Sequence, residues 1–132
     1  METQLRIAGL ILLALAGLHG IFPRYFKWTE GLKSLSLLDR QVMYIHTLFI
    51  AITVALMGAL CISSAPDLIS TPLGKRVSIG IGFFWTVRLI IQFWGYSAQL
   101  WRGKKKETAV HIVFVFLWTY LAILFCWIGF FE

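Results

Sequence analysis

Three histidines and one arginine lie within or close against the long apolar stretches of this 132-residue chain: His19, His46, His111 and Arg88. An ionisable group in hydrocarbon is costly and turns toward a helix interface, a cavity or a partner, which makes each one a candidate for function. Imidazole can ligate a metal or haem iron, relay a proton or hydrogen-bond a ligand. A guanidinium stays charged at any physiological pH and offers only donors, so it demands an anion or several acceptors. The six carboxylates (Glu2, Glu30, Asp39, Asp67, Glu107 and Glu132) sit in termini, loops or at the ends of apolar runs, none within ten positions of Arg88. The compensation for Arg88 is expected from a ligand carboxylate or phosphate, an indrawn lipid head group, helix carbonyls with water, or a partner subunit.

The elements that must position these residues are legible in the hydropathy. The chain is 59% hydrophobic and only 14% charged, far from the balance of a soluble domain and within the membrane class. Four apolar runs stand out, at 7–22, 42–62, 77–101 and 109–131. A span needs about 20 mainly apolar residues, with roughly 17 as a lower bound, so runs two to four qualify and the first is marginal. Pro23 and Arg24 are expected to end the first run, and "SSAPD" the second. A signal-peptide reading of residues 1–16 competes, because "ALA" at 14–16 resembles a cleavage site. Glu2 offsets Arg6 in its n-region, however, and the helix reading is kept. The expected fold is an all-α integral membrane protein, one four-helix transmembrane domain over residues 1–132 packed up-down.

Lys and Arg in the short loops set the orientation. Arg24, Lys27, Lys33, Arg40, Arg102, Lys104, Lys105 and Lys106 fall on one side, against Arg6, Lys75 and Arg76 on the other. Both termini are therefore expected outside and the basic loops in the cytoplasm, the membrane being a bacterial cytoplasmic (inner) membrane. This asymmetry also accounts for the net charge of +6 without nucleic acid. The loop 23–41 mixes aromatic, leucine and basic residues, as a segment lying among lipid head groups does. Two cysteines, Cys61 and Cys126, exclude a disulfide framework and read as packing thiols.

At about 1.5 Å per residue, His19 falls roughly 7 Å below the cytoplasmic surface, His46 roughly 9 Å and His111 roughly 6 Å. Three imidazoles from three helices would share one layer, with simple interfacial placement of His19 and His111 as the competing reading. On the third helix Arg88, Gln92, Gly95 and Gln99 form a narrow stripe, flanked by Trp85 and Tyr96. The fourth presents Thr108, His111, Trp118 and Thr119 with Ala122 on one face. On the second, Asp39, Met43, His46 and Thr53 share one face, while Tyr44, Thr47, Ala51 and Gly58 offer a smaller one for close helix contact. "GIG" at 80–82 likewise reads as close packing. The polar faces are expected to converge on a pocket open to the cytoplasm, lined by Arg88, Gln92, Tyr96, Gln99, Tyr44 and Trp118.

Haem b fits this set. Two imidazoles can ligate its iron, from His46 with His111 or His19, and Arg24, Arg40 or Arg102 could hold propionates. Three histidines with an open position also suit a transition metal such as zinc, copper or iron, although no carboxylate is at hand as general base. The expectation is a haem or metal binder in a redox or cofactor-handling role, with enzyme status undecided. The first alternative is a binder or small transporter of an anionic lipid, quinone, fatty acid or metabolite without a metal. The second is an accessory subunit of a larger membrane complex. Lipids, a homo-oligomer or that complex are the expected partners. In size, four-span layout and the segment "LHGIFPRYF", with a histidine in the first span and "PR" soon after it, the chain resembles HemJ-type protoporphyrinogen oxidases. The resemblance is one of architecture; it implies haem association and carries no residue roles across.

Overall fold

The computed structural model describes residues 1–25, 27–95 and 103–131. Among these the regular secondary structure is all helix, with no strand: α1 (Glu2–Tyr25), α2 (Trp28–Gly31), α3 (Leu37–Ser63), α4 (Ala65–Ser70), α5 (Pro72–Trp94) and α6 (Lys105–Phe131). Four of them, α1, α3, α5 and α6, are long and apolar enough to cross a membrane. The chain divides into two compact units, Met1–Ala65 and Pro66–Glu132.

Local chemistry fixes the helix starts. Ser36 caps α3, its Oγ accepting from Asp39 N–H at 3.1 Å, and Thr71 caps α5, its Oγ1 accepting from Gly74 N–H at 2.9 Å with Pro72 in the first turn. Glu2, Asp39, Asp67 and Glu107 each occupy the first turn of a helix, where a carboxylate meets the positive end of the helix dipole. With Glu30 in the first turn of the short α2, five of the six acids occupy such positions.

In the first unit α1 buries Leu5, Ala8, Leu12 and Leu15, a one-faced stripe, against Val54, Gly58 and Cys61 of α3. The helices run antiparallel, and Gly9 and Gly58 are where they approach closest. A Cβ on Gly58 would lie 2.7 Å from the Gly9 carbonyl oxygen, and one on Gly9 would lie 2.8 Å from that of Gly58. Backbone meets backbone there, as small residues permit in lipid. Of the stripe Tyr44, Thr47, Ala51 and Gly58 expected to make close contact, Gly58 does so, whereas Tyr44 is exposed and the buried neighbours of Gly58 on α3 are Val54 and Cys61. In the second unit α5 buries Ser78, Ile81, Gly82, Trp85 and Gln92 on the side of α6, which buries Trp118, Leu121, Ala122, Leu124, Phe125 and Ile128. Gly82 packs on Cys126, whereas Gly80 faces open space, so half of "GIG" is contact. Cys61 and Cys126 are both free thiols.

The boundaries differ from expectation in instructive ways. Pro23 does not end the first span; it lies inside α1, in the last turn before Tyr25. A proline there removes one amide hydrogen bond and leaves few turns to distort. The loop 23–41 contains the short α2, and "SSAPD" ends α3 but opens α4. The span expected at 77–101 begins earlier, at its Thr71 cap, and α5 stops at Trp94, where Gly95 N–H bonds to Ile91 O at 2.7 Å. Tyr96, Gln99 and Arg102 lie outside the described residues. Away from the helix pairs, Leu48, Phe49, Leu56, Phe83 and Phe116 are exposed, a surface suited to hydrocarbon rather than water.

Candidate functional site

The site assembles in the second unit, on the facing surfaces of α5 and α6. Arg88, Gln92 and Trp85 share the buried side of α5, with Trp85 one turn before Arg88 and Gln92 one turn after it. His111 and Trp118, seven residues apart on α6, come to the same place. Gln92, only 5% exposed, is the hub. Its Oε1 accepts from Arg88 Nη1 at 3.2 Å and from Trp118 Nε1 at 3.2 Å, while its Nε2 lies 2.8 Å from His111 Nδ1.

The aromatic rings complete the setting. The Arg88 guanidinium carbon sits 4.9 Å from the centre of the Trp118 ring, a cation–π contact. Trp118 stacks with Trp85 at 5.0 Å and with Phe114 at 5.3 Å, and Phe93 meets His111 edge-on at 6.0 Å. Trp85 is 2% exposed, and its indole Nε1–H is buried without a hydrogen-bond partner. An orphaned buried donor costs about 1–3 kcal/mol, so its acceptor is a question the site raises.

The structure thus brings together Arg88, Gln92, His111 and Trp118 from the expected set. Trp85 read from sequence only as a flanking residue, and Phe114 and Phe93 were not foreseen. Trp85 is seven residues before Gln92 and so on the same face, which was the available signal. Tyr96 and Gln99 fall outside the described residues.

The other two histidines belong to the first unit. His19 on α1 donates from Nδ1 to Leu15 O at 2.9 Å and packs its ring 4.8 Å from Phe22. His46 on α3 does the same with Val42 O at 2.9 Å, on an exposed flank beside rather than on the Gly58 stripe. Tyr44 is not part of the Gln92 network; it meets Trp28 of α2 edge-on at 5.4 Å. It also borders a shallow hollow of about 440 Å³ with Pro23, Arg24, Lys27, Thr29 and Glu30. Lys27 holds a left-handed backbone, φ 53°, where the chain turns from α1 into α2. Among the described residues, no three His, Cys, Asp or Glu side chains form a group that could hold a metal ion.

Comparison of the chain with protein-family profiles, with curated proteins and with solved structures found no match.

Proposed function

We propose that this chain is a multi-pass protein of the bacterial inner membrane whose α5–α6 pair binds the head group of a membrane amphiphile. A lipid phosphate, a fatty acid and a quinone are the candidate classes. The observation that carries the reading is the contiguous Arg88–Gln92–His111–Trp118 network, set between two helices that otherwise present hydrocarbon. A cation held against an indole face and a fixed amide is a preorganised acceptor-binding group. Its long apolar flanks suit an acyl or isoprenoid tail.

A second reading, haem b, rests on a different observation. His19 and His46 each give the Nδ1 proton to a main-chain carbonyl, which leaves Nε2 with its lone pair. That is the form in which imidazole ligates iron, with its ring held by the other nitrogen. Arg24 and Arg40 are then the nearest cations in sequence for propionates.

One purification separates the two readings. Detergent-extracted protein is expected to carry a stoichiometric lipid, fatty acid or quinone by mass spectrometry, reduced several-fold in Arg88→Ala with the fold retained. A Soret band that disappears in His46→Ala and persists in Arg88→Ala would instead establish the haem reading. Colourless protein with no co-purifying amphiphile would remove both.

The orientation, with basic loops in the cytoplasm, follows from the eight Lys and Arg residues on that side. A cysteine placed by Ser34→Cys should resist an impermeant thiol reagent in intact cells and react after lysis. Ready labelling in intact cells would invert the topology.

A further inference from the structure

We infer that the hollow beside α2 is a lipid site of its own, selecting a zwitterionic head group in which a phosphate is joined by a short link to an ammonium, as in phosphatidylethanolamine. It lies in the first compact unit, away from the Gln92 network of the second, and stands on separate observations.

The chain brings both signs of charge to one corner. Arg24 is in the last turn of α1, Lys27 follows in its left-handed turn, and Glu30 is in the short α2 that the turn starts. Lys27 N–H donates to Arg24 O at 3.2 Å, and Lys27 O accepts from Glu30 N–H at 3.1 Å and from Gly31 N–H at 2.9 Å. The edge contact of Trp28 with Tyr44 ties α2 to α3. Arg24, Lys27, Thr29, Glu30 and Tyr44 consequently border one space of about 440 Å³. Small-molecule sites occupy roughly 300–1,000 Å³.

These charges do not satisfy one another. Among the described residues, the side chains of Arg24, Lys27, Thr29 and Glu30 make neither a hydrogen bond nor an ion pair. One turn before Tyr44 on α3, Arg40 is half-buried, and its Nε is enclosed without a hydrogen-bond partner. A head group carrying a phosphate alone answers the cations and meets Glu30 as a like charge. A phosphoethanolamine answers both signs: its phosphate oxygens accept from the guanidinium and the lysine ammonium, and its own ammonium donates to the Glu30 carboxylate.

The flank of α1 says that this head group belongs to a lipid. Gly20 and Gly17 lie one and two turns before Arg24 on the same side of the helix, and each has open space where a side chain would stand. Leu18 and Ile21 beside them are exposed. An acyl chain leaving a phosphate at Arg24 therefore runs back along the span over a smooth, apolar side.

The experiment uses full-length protein in detergent, with lipid binding titrated by native mass spectrometry. Dioleoyl phosphatidylethanolamine and dioleoyl phosphatidylglycerol are the probes, with soluble O-phosphoethanolamine as competitor. The zwitterion should bind roughly threefold or more tightly than the anionic lipid, the scale of one exposed ion pair. Glu30→Gln should weaken phosphatidylethanolamine alone and remove the preference. Arg24→Ala combined with Lys27→Ala should weaken both lipids by roughly tenfold. Arg88→Ala should leave the preference intact.

Phosphatidylglycerol bound more tightly than phosphatidylethanolamine by the wild type reduces the corner to general attraction of basic residues for anionic lipid, and overturns the proposal even if a variant fails to fold. A preference unchanged in Glu30→Gln overturns the role given to the carboxylate. A preference lost in Arg88→Ala and kept in the Arg24, Lys27 double variant places it on α5–α6, which overturns this site and leaves the head-group reading above standing. O-phosphoethanolamine that displaces the lipid at equal concentration overturns the lipid source.

Discussion

Polar residues on the spans sort by side-chain reach. Thr47, Thr53, Thr86 and Thr119 return their hydroxyls to the carbonyl one turn back, at 2.7–2.9 Å, and His19 and His46 return a ring N–H in the same way. Such a residue satisfies itself on its own helix and tolerates hydrocarbon on its outer side. Gln92 and Trp118, in contrast, bond across to the other helix. A stripe counted in sequence does not distinguish these two kinds, which is why Thr53 and His46 read as pocket residues and now sit on an exposed flank. Gln92 was legible because a long primary amide deep in an apolar run cannot be satisfied locally. The indole of Trp118 has two separable functions here, a ring under Arg88 and an N–H on Gln92. Trp118→Phe keeps the first and removes the second, and is expected to cost about 1 kcal/mol. Trp118→Leu removes both and should cost several-fold more in unfolding free energy measured in mixed micelles. Equal losses in the two variants would mean that the N–H contributes nothing.

At the level of elements, the four long helices were legible because hydropathy over about 20 residues is a large signal. Their ends were less so. α5 starts at a threonine cap whose side chain contacts a backbone N–H, a two-atom event that hydropathy does not register. Pro23 was given more weight as a terminator than it carries in a last turn. α2 and α4 are only 4 and 6 residues long, too short to show periodicity. The pairing of α1 with α3 through Gly9 and Gly58 was half visible. Gly58 stood in a stripe of small residues, whereas Gly9 is one of several small residues in α1 and only the register chooses it. The same holds for α5 and α6, where Gly82 is selected and Gly80 is not.

For the molecule as a whole, each compact unit has its own closely packed helix pair and its own polar business. The first holds two histidines bonded to their own helices; the second holds the guanidinium network. The three-histidine layer expected from depth rests on distance along each helix axis, with His19 and His46 in the first unit and His111 in the second. The network's spacing along the chain also has a consequence for biosynthesis. The partners of Gln92 on α6 arrive 19 and 26 residues later, so α5 leaves the ribosome carrying a charge whose surroundings have yet to be made. On its own, an arginine mid-helix raises the cost of entering lipid by about 2.5–3.5 kcal/mol on the insertion scale. α5 is therefore expected to wait at the translocon until α6 joins it, the two entering the bilayer as a pair. A chain stopped after Lys106 should leave α5 extractable by alkaline carbonate, and Arg88→Leu in that same truncated chain should restore its integration. Full integration of α5 with Arg88 present and α6 missing would show that the late partners are not needed for entry.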